Sequence, residues 1–299
     1  MTTLCDLANK LPNLIGALLE SESVLKRGRF REETLTDLFT GSLAAFAGPD
    51  LVIQYPPEAM TGGDLDLDFW HVSTGDWFGL RIQAKRLNAG FDNGRSVKPE
   101  HRQYKELLHV VPSTGVHQFK TLMKSSRAEG RLPLYMFYNH AAIAFHSTCT
   151  GTLPRVRGVN LAFACDVAEK MKAEIAARPK RLFNQRLTNL RPYFFDLATI
   201  LCPRNSLGAV PTPQEVWSAL WEQAGSDENV LTPEQIAQRV ACRIRYSRRH
   251  ARLHAASKLI SDGPAFRRNP ELQRPKVTVI SGRTMDKRTP FISDEPHVG

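Results

Sequence analysis

Asp64-Leu65-Asp66-Leu67-Asp68-Phe69 alternates strictly between carboxylates and apolar side chains, and Leu80-Arg81-Ile82-Gln83-Ala84-Lys85 alternates in the same way. A period of two is the signature of a strand with one buried face. Ser73-Thr74-Gly75-Asp76 between the runs has turn chemistry, so the stretch reads as an antiparallel hairpin. Centring the turn between Thr74 and Gly75 sets Asp64 opposite Lys85, Asp66 opposite Gln83 and Asp68 opposite Arg81. Leu65, Leu67, Phe69, Leu80, Ile82 and Ala84 then share the core face.

Outward from the hairpin, a helix is expected over 1–19 and a second over 32–47, where Leu35, Leu38, Phe39, Leu43 and Phe46 recur at helical spacing. Gly48-Pro49-Asp50 stops that helix, and 51–55 follows as a short strand. Downstream, helices are expected over 100–111, 117–128 and 166–178, with strands at 134–138, 142–146 and 159–164. The proline-rich stretch 202–213 marks a boundary, beyond which 213–223 and 233–246 read as helices. The expected organisation is a domain over 1–205, a basic helical extension over 206–262 and a mobile basic tail over 263–299.

An apolar share of 42% and a charged share of 23% fit an ordinary globular chain. No apolar run approaches the roughly 20 residues of a membrane span, and the first residues lack the order of a signal peptide, so a cytoplasmic protein is expected. Five scattered cysteines without a C-x-x-C pair read as buried free thiols. Net charge is +10, and residues 239–299 hold 14 Lys/Arg against 5 Asp/Glu, or +9 of it. That surplus favours a polyanionic partner. Arg243, Arg245, Arg248, Arg249 and Arg252 could track a phosphate backbone. His250 and His254 lack a third ligand and read as part of the same basic surface.

On its polar face the hairpin gathers carboxylates, an amide oxygen and an ammonium. Oxygen donors suit Mg²⁺, and a lysine beside the ion can orient water and offset phosphate charge. A solvated face with cross-strand ion pairs fits the same spacing.

Gly63-Asp64, the hairpin, and Gln83-Ala84-Lys85-Arg86 resemble the PD-(D/E)XK nuclease superfamily, in the Gln-x-Lys variant of Mrr-type restriction endonucleases. The chain also resembles uncharacterised bacterial proteins with that core, through Glu33-x-x-Thr36-Asp37, Gln118, Pro133-Leu134-Tyr135-x-x-Tyr138-Asn139 and Leu201-Cys202. The likeness spans residues 30–203. It implies an α/β, restriction-endonuclease-like core: a mixed central sheet flanked by helices, ordered helix, three-stranded meander, helix, strand. The basic C-terminal extension lies outside it.

Asp64 would be the metal-binding acid, with Asp66 as its alternative. Gln83 and the Ala84 backbone carbonyl would be further ligands, Lys85 the catalytic lysine, and Glu33 the helix acid that completes the site. Asp37, one turn on, is a weaker candidate. Arg86 and Gln118 would contact nucleic acid, although Gln118 equally reads as a surface amide. The implied activity is Mg²⁺- or Mn²⁺-dependent hydrolysis of phosphodiesters, in DNA ahead of RNA, by a homodimer serving restriction or antiviral defence. The alternatives are a catalytically inactive nucleic-acid-binding module on the same fold and an RNA-directed nuclease effector.

Overall fold

The computed structural model describes residues 3–22, 30–56, 64–88, 91–92, 95–98, 101–112, 114–143, 153–177, 185–204, 210–226, 232–252 and 265–283. Two helices, α1 (Leu4–Glu22) and α2 (Glu32–Ala47), precede the sheet. Its first strands are β1 (Leu51–Tyr55), β2 (Asp64–His71) and β3 (Asp76–Arg86). After α3 (Gln118–Glu129) come β4 (Leu132–Tyr138), β5 (Val159–Phe163), α4 (Ala164–Ala176) and the short β6 (Phe195–Asp196). The C-terminal part contributes α5 (Pro213–Gly225), α6 (Pro233–Arg239), β7 (Arg245–Tyr246), β8 (Ala265–Arg268) and β9 (Lys276–Ser281).

These nine strands form one mixed sheet in the order β6-β5-β4-β3-β2-β9-β1-β8, with β7 paired to the start of β3. The protein is therefore α/β with a mixed central sheet flanked by helices. On one face α1, α2 and α5 bury Leu7, Leu11, Leu35, Phe39, Val216 and Leu220 against Leu65, Leu67, Leu80 and Ile82. The other face packs Phe119 and Leu122 of α3 and Val167 and Met171 of α4 on Tyr135, Phe137 and Ala162. Among the described residues no helix is long and apolar enough to cross a membrane.

The hairpin forms with its apolar set inward, but its register is shifted. Asp64 pairs with Gln83, Asp66 with Arg81 and Asp68 with Gly79. The turn is centred one residue earlier than expected: Trp70 pairs with Trp77, and Gly75 N–H donates to the His71 carbonyl at 2.9 Å. A two-residue slip keeps each side chain on its face, whereas a one-residue slip would invert the strand.

A larger difference lies at the end of the chain. Residues 265–283 belong to the sheet instead of a mobile tail, and β9 splits the expected meander by lying between β2 and β1. It runs parallel to β2 and antiparallel to β1. All six of its residues are buried. Val277 and Val279 enter the main core, while Lys276 and Thr278 lie on the opposite side of the pleat. A six-residue strand between Pro- and Arg-rich flanks carries little periodic signal, which hides it in the sequence.

Smaller departures have local causes. Residues 105–108 form a 3₁₀ turn where a longer helix was expected, and 141–143 are helical where a strand was expected. The helix expected over 233–246 ends at Arg239. Beyond it Cys242 is pinned by its Sγ contact to the Gly130 carbonyl and by Trp217 Nε1, which donates to the Cys242 carbonyl at 3.1 Å. Cys5 and Cys202 are joined in a disulfide, contrary to the expectation of free thiols, because α1 packs across the helical turn Ala198–Leu201 and brings their Cα atoms to 4.8 Å. Cys165 and Cys242 remain thiols.

Removal of residues 264–299 strips β8 and β9 and leaves β1 and β2 without a shared neighbour. The truncated chain is expected to lose its cooperative thermal transition by circular dichroism. A sharp transition like that of the full chain would show that β9 is dispensable.

Candidate active site

The polar face of the hairpin divides into two ends with different fates. Towards the turn it is an ionic core. Asp66 accepts a bidentate pair from Arg81, Nε and NH2 each at 2.8 Å. Arg81 also donates to Glu129 at 2.7 Å. Asp68 has no exposure to water and is surrounded by Arg131 NH1, Lys276 Nζ at 2.9 Å and His250 Nε2 at 2.9 Å. Gly79, its register partner, leaves the room that the Arg131 guanidinium and the Trp77 ring fill, and a Cβ there would strike both.

Asp66 is therefore committed to two arginines, since Arg131 Nε also lies 3.5 Å from it. This weakens its case as the alternative metal ligand. The expected Asp68–Arg81 pair is replaced by Asp66–Arg81. His250, expected on a basic surface, is 4% exposed and sits over Asp68; His254 lies outside the described residues.

Burial alone would raise the Asp68 pKa. Arg131, then Lys276 and His250, outweigh it and hold the carboxyl well below its usual range. Burial lowers His250; Lys276 and Arg131 add to this, and the Asp68 contact opposes it without prevailing. Both folded values lie below the unfolded ones, so this part of the stability is complete above the ordinary histidine value of 6.5. It is lost as pH falls, first through His250 and at stronger acid through Asp68.

The other end of β3 borders a cleft. Lys85 is 3% exposed, and its Nζ lies 3.1 Å from Gln118 Oε1 and 3.4 Å from Glu32 Oε2. Glu32 Oε1 accepts from the Arg86 backbone N–H at 3.0 Å. Burial raises the pKa of Glu32; Lys85 and the Arg86 amide offset part of that rise. Three element ends thus meet: the first residue of α2, the first of α3, and the end of β3. Gln83, 1% exposed, is two residues back on β3 and pairs across the sheet with Asp64. Directly opposed positions in an antiparallel pair have Cβ atoms about 4.5–5.5 Å apart. Gly63 and the side chain of Asp64 lie outside the described residues.

Lys85, Glu32, Glu33 and Gln118 line a cleft of about 860 Å³. Arg31, Lys85, Arg86, Arg102, Lys105 and Arg186 face Glu32, Glu33 and Glu106 around it, six cations against three carboxylates. Arg86 is less available than expected, because its guanidinium is paired with both Glu22 oxygens at 2.8 Å. Ala84 sends its methyl into the core.

Glu32, and not Glu33, is the acid that touches the lysine. The signal for it was in the sequence: Glu32, Leu35, Thr36 and Phe39 follow i, i+3, i+4, i+7, the buried stripe of α2. Glu33 instead shares a flank with Asp37, whose pKa is raised by partial burial and by the Glu33 charge. Of the other motif residues, Thr36 Oγ1 meets the Tyr138 hydroxyl at 3.2 Å, and Asn139 Nδ2 donates to the Arg157 carbonyl at 2.8 Å. Both contacts join elements of the fold. Arg243, Arg245, Arg248, Arg249 and Arg252 are exposed, but they lie at the hairpin-turn end, where Arg245 pairs with Trp77.

Among the described residues no three His, Cys, Asp or Glu side chains converge as a metal cluster. Near this end the described oxygen donors are the Glu32 carboxylate, which lines the cleft, and the Gln83 amide, buried two residues back on β3. A carboxylate and a neutral carbonyl oxygen are hard donors of the kind that Mg²⁺ or Mn²⁺ takes, such an ion filling its remaining positions with water.

Two measurements check the ionic core. Replacing Asp68 with Asn leaves Arg131 and Lys276 buried without their counter-charge, and is expected to cost about 3–5 kcal/mol in denaturant unfolding. Wild-type stability should also fall between pH 8 and pH 5, and His250→Gln should reduce that fall. Buried His140, also held below its ordinary value, retains part of it. A wild-type profile flat over this interval would contradict the assignment.

No curated protein and no solved structure gives a significant match to the chain. The model of a family of unknown function, DUF6615, matches residues 4–287, from the first helix past β9, and the chain belongs to that family.

Proposed function

We propose that the protein is a divalent-metal-dependent nuclease that hydrolyses phosphodiesters in DNA. The observation that carries this reading is the open end of β3: Asp64 registered with Gln83, then Lys85 between Glu32 and Gln118, at a basic cleft. Along the chain, α2, β1, β2, β3, α3 and β4 follow one another as the nuclease resemblance implies, although β9 separates β1 from β2 in the sheet.

Asp64, Gln83 and Glu32 would hold the ion, which when bound supplies Lewis acidity towards a phosphoryl oxygen and a more acidic water. Lys85 presents its ammonium to the reacting phosphate. Glu32 and Gln118 fix its position, so little reorganisation is needed when charge develops. The surplus of cations draws a polyanion into the cleft and offsets repulsion between phosphate and carboxylates. Gln118 is the first residue of α3, so the positive end of that helix dipole lies at the cleft and favours an anion nearby.

One feature favours the reading of a binding module without catalysis: Gln83 brings no negative charge, so the ion is held by fewer anions than in an acid-x-Lys site. The same assay separates the two. With Mg²⁺ or Mn²⁺ and plasmid, linear DNA or RNA, wild type is expected to cut DNA. Asp64→Ala and Lys85→Ala should each cut about 10²-fold more slowly or worse, measured below the thermal midpoint of each variant, which Lys85→Ala lowers by leaving Glu32 without its counter-charge. Cutting at the wild-type rate by both variants would remove the site. DNA binding without cutting by wild type would leave the binding module.

A further inference from the structure

The cleft occupies one end of β3, and the exposed arginines of the C-terminal part occupy the other. Arg245 pairs with Trp77, eight residues along the strand from Lys85. At about 3.3 Å per residue this places the two roughly 26 Å apart.

Helix α3 covers the nearer part of that interval, its 12 residues rising about 18 Å. Its first residue, Gln118, touches Lys85, and its last, Glu129, touches Arg81. Gly130 follows in a left-handed conformation, with the Arg245 guanidinium lying against it where any side chain would collide. Along the solvent side of α3, Lys120, Lys124 and Arg127 recur at i, i+4 and i+7, and all three are exposed. The one acid of the helix, Glu129, is turned onto Arg81 and Arg131. Like charges four apart weaken a helix slightly, so the stripe is not there for helix stability. Beyond Gly130 the cations continue with Arg245, Arg243 and Arg248, all exposed.

We propose that this stripe and the arginines beyond it form a second contact surface, which grips the backbone of duplex DNA away from the reacting phosphate. The surface deepens the nuclease reading and rests on it for the identity of the partner. Evenly spaced cations on a rigid helix suit a stiff duplex, whose phosphates keep their line over this distance. A flexible single strand calls for a run of stacking platforms, whereas α3 presents no exposed aromatic and Tyr246 of β7 is a single one beside the arginines among the described residues. The stripe itself offers point charges instead of the hydroxyl and amide groups that read a ribose 2′-hydroxyl. With about 3.4 Å per base pair, 26 Å corresponds to about eight base pairs. Binding therefore requires a duplex extending at least that far to one side of the cleft.

The test is fluorescence anisotropy in EDTA, which reads binding without cutting. Probes are blunt DNA duplexes of about 6, 12 and 24 base pairs, with single-stranded DNA and duplex RNA at the longest length. For wild type, affinity is expected to rise steeply between the two shorter duplexes, beyond the gain from added sites. The triple variant Lys120→Ala, Lys124→Ala, Arg127→Ala should keep its thermal midpoint and bind the longest duplex about tenfold or more weakly. Its slope of log affinity against log salt should be shallower by about three. Arg245→Ala should weaken the same probe and spare the shortest. Wild-type affinity by the triple variant, or stronger binding of duplex RNA or single strands, overturns the proposal. If wild type cuts DNA but the variant binds normally, the surface fails and the nuclease reading stands. If the length dependence appears but no metal supports cutting, the surface stands and the nuclease reading fails.

Discussion

A carboxylate sealed from water needs cations close by, and Asp68 draws them from three separate parts of the chain. Arg131 follows α3, His250 follows β7, and Lys276 opens β9. Each contact joins a distant segment to the middle of β2. Apolar burial supplies most of the drive to fold, but it is tolerant of sliding. A buried charge is not, because a displaced partner leaves it uncompensated. The network thus specifies that β9 sits beside β2 in one register, and that the C-terminal part closes over the hairpin.

The same alternation that makes the hairpin splits its polar face into two regimes. Asp66 and Asp68 are neutralised by protein cations and contribute to structure. Asp64, two and four residues away, pairs with Gln83 where the sheet ends and three element termini meet. The chemistry proposed for the site depends on this asymmetry: carboxylates already matched by arginine have little left to offer a metal ion.

Much of the framework could be read from residues alone. Strict alternation over 64–69 and 80–85 gave the two strands and their core face, and helical spacing gave α2 with both ends. What escaped was nonlocal. Register depends on turn geometry, so the pairing was displaced by two. Lys276-Val-Thr-Val-Ile-Ser281 has strand chemistry, but nothing in it says that the strand belongs between β1 and β2, more than 200 residues earlier. Naming Glu33 left helix phase out of account, and that phase puts Glu32 in line with Leu35 and Phe39. The basic C-terminal residues were legible as charge, but their position 26 Å from Lys85 by strand rise was not.

Central placement of β9 also bears on the order of events during synthesis. Translation runs from the N-terminus at about 5–20 residues per second, so β1 and β2 leave the ribosome many seconds before residues 276–281 are made. Over that interval both strands expose edges that β9 will later occupy, and Asp68 lacks Lys276. Strand edges of this kind are templates for pairing with other chains. A nascent chain is consequently most exposed to association until residues 276–281 emerge, when β9 closes the sheet from within.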